Sequence, residues 1–421
     1  MSAPQSLAAP QDAPHVPSDK AEPDQVHAKP VKGRILWLAL GDARGHVMRA
    51  LTIRKVLAQH GIVVDIVTTN EEARDFLRSF GVEAEMLSPT YGAVMDARQD
   101  MDKMRTEIKT LLYMFLPTRL MRDMAWLRDR GQHYDLVVND SFHVALLFGT
   151  KLESWQGIRL VQVYGKYMRK AVLGQFEGGR GPRFWANFYS NTLADLVDSS
   201  FARVEHTFDA SDQGQHIGHW HRLPPLIPDT PADRGQLRAK LGVPEGKMLA
   251  VAYLNPNFRD PQIAQAVEDA IAAHGSHPHL VGEGYAAQGR PGWLAYDQRL
   301  VDSIAAADLL FSAPGMGVLA QARLFETPLV AVMTSQPEQQ SNLNFLEQGA
   351  GHPYEAVQVS PVDSLVQRME VAVKRLQGRL DPNHHRPPAQ AAVAARQQLW
   401  VDVFAGLVGD AQAEREALGE A

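Results

Sequence analysis

From Arg34 onward the chain alternates between short apolar runs and longer stretches in which apolar residues recur every three or four positions. Ile35 to Leu40 (ILWLAL) is the first such run, the pattern of a strand buried on both faces of a parallel sheet. After the loop Gly41 to His46, apolar residues at Val47, Ala50, Leu51, Leu57 and Ala58 predict a helix, ended by Gly61. Ile62 to Val67 predicts a second strand, and Glu71 to Phe80, closed by Gly81, a second helix. Strand, loop, helix, strand, helix is the opening of a doubly wound sheet. Asp135 to Val138 and Arg159 to Tyr164 read as further strands, and Asp100 to Arg128 as helix broken at Pro117. The prolines of Arg222 to Pro228 mark a linker. Beyond it the rhythm restarts. Strands are predicted at Met248 to Tyr253, His279 to Val281, Asp308 to Ser312 and Leu329 to Met333, with helices at Pro261 to His274 and up to Glu326.

The expected fold is α/β, two Rossmann-like doubly wound domains facing a central cleft. The division runs 1–33 as a disordered N-terminal arm, 34–221 as the first domain, 222–228 as linker and 229–421 as the second domain. At 421 residues and 45% hydrophobic, the chain has apolar material for more than one core. A net charge of −6 argues against a nucleic-acid partner, which selects basic surfaces. The absence of cysteine removes disulfides, thiolate zinc sites and a cysteine nucleophile together. The densest apolar runs, such as Leu111 to Leu116, fall far short of the roughly 18 to 20 residues of a membrane span. The first 33 residues hold six prolines and nothing like a secretory leader, so a cytoplasmic location is expected.

Ala306 to Gly351 carries a more specific pattern. Ala307-Asp308-Leu309 ends at a strand, and a loop with Gly315 follows. Next come Thr327-Pro328, the pair Glu338-Gln339, Asn342, and Leu346-Glu347-Gln348-Gly349. This segment resembles the donor-binding segment of GT-B glycosyltransferases, of the kind that includes the UDP-glycosyltransferases and the peptidoglycan-precursor N-acetylglucosaminyltransferase. Gly45-His46, after the first strand, is similar to that family's N-terminal glycine loop and histidine. The resemblance implies a GT-B fold with the acceptor half first and the nucleotide-sugar half second. It implies a hexosyltransferase that moves a sugar from a nucleotide-diphosphate donor, a UDP-sugar foremost, to a hydroxyl. The expected mechanism is inverting and metal-independent, with no cofactor beyond the donor.

On the donor side, Gly315, Met316 and Gly317 stand where backbone amides and a helix N-terminus meet a pyrophosphate. The resemblance places the ribose at Gln321 and the donor sugar at Glu338, Gln339 and Asn342. Where the family commonly has polar phosphate ligands, this chain has Ala313 and Val318, and Gln321 replaces a glutamate. A cation from elsewhere would then serve the phosphates, with Arg44 beside Gly45, or Arg49, as candidates.

On the acceptor side, His46 follows the first strand, where open α/β sheets place ligands, and suits a general base near neutral pH. Asp140, in VVNDSFH, stands like the family's partner aspartate that orients the ring. His216, His219 and His221 lack a metal-ligand spacing, and no metal is expected. Residues 101–127 hold Met104, Ile108, Leu111, Leu112, Met114, Phe115 and Leu116 near Lys109, Arg119 and Arg122. This stretch reads as core packing, as a grip for a small-molecule or lipid-linked acceptor, or as a peripheral contact on the inner membrane face. Two other functions stay open: a nucleotide-sugar hydrolase of the same fold, and a non-catalytic member binding a sugar nucleotide or a partner.

Overall fold

The structure, a computed structural model, describes residues 32–41, 44–88, 117–140, 157–166, 197–208, 214–229, 231–347, 352–379 and 389–419, with single residues or pairs between 94 and 195. Nearly all of the expected arm and most of 101–116 lie outside the described residues.

The first sheet contains β1 (Gly33–Ala39), β2 (Ile62–Thr68), β3 (Glu85–Met86), β4 (Leu136–Asp140), β5 (Leu160–Gly165), β6 (Ala202–His206), β7 (His216–Ile217) and β8 (Trp220–Leu223). Their order is β3-β2-β1-β4-β5-β6-β8-β7, parallel except for β7. Side chains alternate across it. Ile35, Trp37 and Ala39 of β1 pack toward α1 (Arg44–Ala58), while Leu36 and Leu38 pack toward α3 (Pro117–Gly131), after α2 (Glu71–Ser79). Burial on both faces explains the unbroken apolar runs. Asn70 starts α2 by accepting the Ala73 amide at 2.8 Å, and Gly81 follows it at φ 71°.

The second sheet contains β9 (Leu249–Tyr253), β10 (His277–Val281), β11 (Trp293–Leu294), β12 (Leu309–Ser312), β13 (Leu329–Met333) and β14 (Tyr354–Gln358). Its order is β11-β10-β9-β12-β13-β14, parallel throughout. Its helices are α4 (Arg234–Lys240), α5 (Pro261–Ala273), α6 (Glu283–Ala286), α7 (Leu300–Ala306), α8 (Met316–Leu324), α9 (Pro337–Glu347) and α10 (Leu365–Leu376). The order in which strands are added reverses between β1 and β4 in one sheet and between β9 and β12 in the other. Such switch points open crevices at the C-terminal ends of the strands, where ligands bind in this class of sheet.

The last helix, α11 (Gln390–Leu418), departs from the expected division at 229–421. Its first turns belong to the second domain, where Val393 joins the cluster of Leu319 and Ala320. Its later turns cover the first sheet: Trp400, Phe404, Leu407 and Ala411 join the cluster of Trp37. Gly33 accommodates this return, since a Cβ there would lie 2.4 Å from Val408 Cγ1. Between the two domains α11 runs along the proline-rich linker. Gln390 donates to the Pro231 carbonyl, Gln397 to that of Ile227 at 3.0 Å, and Trp400 to that of Pro224 at 2.8 Å. An extended proline-rich segment has carbonyls without strand partners, and these side chains satisfy them. Among the described residues no helix is long and apolar enough to cross a membrane.

Candidate active site

The first switch point brings together residues from four elements. β1 and β4 are neighbours with Ala39 opposite Asp140, so Asp140 ends its strand beside the start of α1. His46 lies in the first turn of that helix, and its Nδ1 is 2.9 Å from Asp140 Oδ1. Arg49, one turn further, donates from Nε to Asp140 Oδ2 at 3.0 Å. Trp37 donates from Nε1 to the same oxygen at 3.3 Å. The Asp140 side chain is fully buried while that of His46 is 25% exposed. Of the pair, only the imidazole reaches solvent.

Burial opposes ionisation of Asp140, but the charge of Arg49 and then the His46 contact outweigh it and hold the carboxyl at about 2. Arg49 Nη2 also lies 3.1 Å from His46 Nδ1. One nitrogen cannot donate to Asp140 and accept from Arg49 together. The ionised carboxylate accepts the stronger, charge-assisted bond, so Nδ1 carries the proton and Nε2 keeps its lone pair. That is the tautomer a general base requires.

His206 ends β6 on this face, and Gly165 ends the intervening β5. A Cβ on Gly165 would lie 3.2 Å from His206 Cε1, so the glycine lets the ring lean over β5. Burial, then the charge of Arg49, keep the His206 pKa well below its ordinary value. His143 lies on the opposite side of the sheet: its amide is held by Asn139, and burial pushes its pKa down to about 3. Both rings stay neutral when folded but protonate near pH 6.5 when unfolded. The unfolded chain therefore binds more protons below that pH, and stability falls as pH drops below about 6.5, by about 1.4 kcal/mol per unit for each histidine that is still neutral in the folded state, which for His143 lasts to about pH 3. Denaturant melts between pH 7 and pH 4 should show this slope, and His143→Gln should remove its share.

Arg44 is not an open cation. Its guanidinium pairs with Glu283 at 2.5 Å, donates to the Glu72 carbonyl at 2.9 Å and lies 4.5 Å from the Phe76 ring centroid. It ties α1 to α6 across the two domains, which brings the C-terminal edges of the two sheets face to face. Gly45 lies within the first turn of α1, exposed and with open space where a Cβ would stand.

The second switch point holds the expected donor loop. Ser312 Oγ donates to the Tyr253 carbonyl at 2.8 Å, stitching β12 to β9. Gly315 is the N-cap of α8 with no side chain capping it, so the helix's first amides are directed outward from Met316 and Gly317. A Cβ at Gly315 or at Gly317 would meet nothing within 4 Å, and neither residue has a positive φ. The fold does not require glycine at either. Asn342 Nδ2 donates to the Pro314 carbonyl at 2.9 Å, holding the loop from α9. Gln339 is buried, and its Oε1 accepts the Thr334 amide at 2.7 Å. The Glu338 side chain lies outside the described residues. Gln321 Nε2 bonds the Gly317 carbonyl at 3.2 Å, whereas its buried Oε1 has no partner. Ala313 and Val318 pack against the two apolar clusters of this domain.

Sequence reasoning missed Arg49 as the partner of Asp140, although its i+3 spacing from His46 put both on one helix face. It missed His206 because β6 was not recognised. His216 and His221 face each other across β7 and β8 with Nδ1 atoms 2.8 Å apart, and His219 contacts the Phe201 carbonyl. No group of three metal-binding side chains converges among the described residues.

No protein family and no curated protein matches the sequence. Solved structures do match in fold. The glycosyltransferase VinC, in complex with DTDP, aligns at a TM-score of 0.54 and 13% identity, over 90% of this chain and 100% of its own. The spinosyn rhamnosyltransferase SpnG, complexed with thymidine diphosphate, gives 0.52 and 11%, over 91% and 100%. The glycotransferase of kitacinnamycin gives 0.52 and 16%, over 92% and 99%. The chain shares its overall fold with these enzymes along nearly its whole length, and has the GT-B fold of glycosyltransferases.

Proposed function

We propose that the protein transfers a sugar from a nucleoside-diphosphate donor, held at the start of α8, to a hydroxyl acceptor in the first domain, with inversion. The observation that carries this reading is the His46–Asp140 contact at the first switch point. His46 Nε2 takes the acceptor proton as the oxygen attacks the anomeric carbon. Asp140 fixes the ring and stabilises the imidazolium that results. Arg49 keeps Asp140 ionised. The diphosphate leaving group meets the free amides of Met316 and Gly317, and the unpartnered Gln321 Oε1 accepts from a donor hydroxyl. Two fold neighbours were solved with thymidine diphosphate, so TDP- and UDP-sugars are the first donors to test.

A donor panel incubated with and without hydroxyl acceptors is the direct test. Transfer supports the proposal, and rapid donor hydrolysis without any acceptor identifies a hydrolase instead. Gly315→Val probes the donor site separately. Open space at that position leaves the fold intact apart from a cap penalty of about 1 kcal/mol. The branched side chain meets the diphosphate. Calorimetry should show nucleoside-diphosphate affinity reduced about tenfold or more, and unchanged affinity in the folded variant overturns the assignment.

A further inference from the structure

His206 is 5% exposed, and neither of its ring nitrogens has a hydrogen-bond partner among the described residues. Of the two, only Nδ1 is sealed from solvent. The strand register shows where the ring stands. Asp140 lies opposite Val163, Gly165 follows two residues later on the same face, and Gly165 lies opposite His206. On its other side His206 lies opposite Leu223 of β8. The ring is thus flanked by a glycine and a buried leucine, which offer it no polar side chain. A Cβ on Gly165 would lie 3.2 Å from Cε1 and 3.8 Å from each ring nitrogen, so the edge that carries both nitrogens leans over β5, toward β4 and Asp140. The charges that act on the ring belong to the same cluster, Arg49, Asp140 and His46. With burial they leave the imidazole neutral, with one N–H and one lone pair. A sealed N–H without an acceptor is the costlier arrangement, so the proton belongs on Nε2. The outcome is a fixed, neutral donor on the His46 side of the crevice.

We propose that His206 binds the acceptor, its Nε2–H donating to a second oxygen beside the hydroxyl that His46 deprotonates. This assignment rests on the proposed sugar transfer. The ring covers β5, one strand spacing or about 4.8 Å from β4, so both oxygens belong to one small part of the acceptor. The acceptor class is therefore a hydroxyl with an oxygen on the neighbouring carbon. An isolated alcohol lacks the second contact.

The test compares guaiacol with phenol, and vicinal methoxycyclohexanol with cyclohexanol, as acceptors. Each pair has one hydroxyl per molecule and differs by a neighbouring ether group. Wild type should prefer the two-oxygen member about tenfold in kcat/KM, mainly through KM. His206→Phe should bring the members of each pair level, with nucleoside-diphosphate affinity unchanged by calorimetry. His206→Gln, whose amide can still donate, should keep part of the preference. Gly165→Ala places a methyl 3.2 Å from Cε1 and should weaken the preference with the ring still present. A purely structural role would instead lower both members of a pair alike. If His206→Phe does not fold, His206→Gln and Gly165→Ala decide the matter. No preference in an active wild type, or a preference untouched in the folded variants, overturns the role of His206 alone. A wild type that transfers to no acceptor overturns the proposed transfer, and this assignment with it.

Discussion

His46→Ala should lose roughly 10²- to 10⁴-fold in kcat while donor affinity stays nearly constant, the range general-base catalysis contributes. The reason is geometric. The ring is positioned from Nδ1 by a buried, ionised carboxylate at 2.9 Å. Asp140→Asn should cost about as much, since an amide cannot accept from both the ring N–H and Arg49 and favours the wrong ring tautomer. Steady-state kinetics with whichever donor and acceptor turn over decide it, and full turnover by His46→Ala moves the base elsewhere. His143 is not a substitute, because it is buried on the far face of the sheet with its pKa at about 3.

Asp140→Ala should destabilise the first domain by about 3 to 5 kcal/mol, a larger effect than its removal from an exposed site would give. The carboxylate is the shared acceptor of Arg49, His46 and Trp37, and its loss leaves a mostly buried guanidinium with no counter-charge. Adding Arg49→Met should recover much of the loss, because an apolar pair replaces an orphaned charge. Urea melts of the single and double variants measure this. If the double variant is no more stable than Asp140→Ala, the penalty arises from packing and not from the uncompensated charge.

The sequence made much of this legible where the cause was local. The strands near Ile35, Ile62, Leu136, Leu249, Leu309 and Leu329 were readable because burial on both faces forces unbroken apolar runs. The meeting of His46 and Asp140 was readable because both follow ends of neighbouring strands. Arg44 was misjudged because its partner, Glu283, lies 239 residues away on another domain. The spacing of Val393, Trp400, Phe404, Leu407 and Ala411 is helical, but nothing in it says that the helix crosses back to a sheet whose first strand lies more than 350 residues earlier, as about the distance from Gly33 to Gln390 requires. Long-range placement of this kind is a property of the whole core and leaves no local mark. Asn342 and Gln339 were expected at the sugar; the structure also gives them loop carbonyl and amide partners that no spacing rule reveals.

The return of α11 has a consequence for biosynthesis. The ribosome makes β1 to β8 before the second sheet, but the face of the first sheet bearing Trp37 is covered by Trp400 and Phe404, which emerge after both sheets. The second domain, whose sheet and most of whose helices lie between residues 234 and 376, can close its core while the first still shows an apolar face. Order of synthesis and order of completion are therefore inverted. The nascent first domain is expected to be the aggregation-prone species and the natural client of a holdase, and a chain stalled or cut before Gln390 should leave the ribosome with its earlier-made half unfinished.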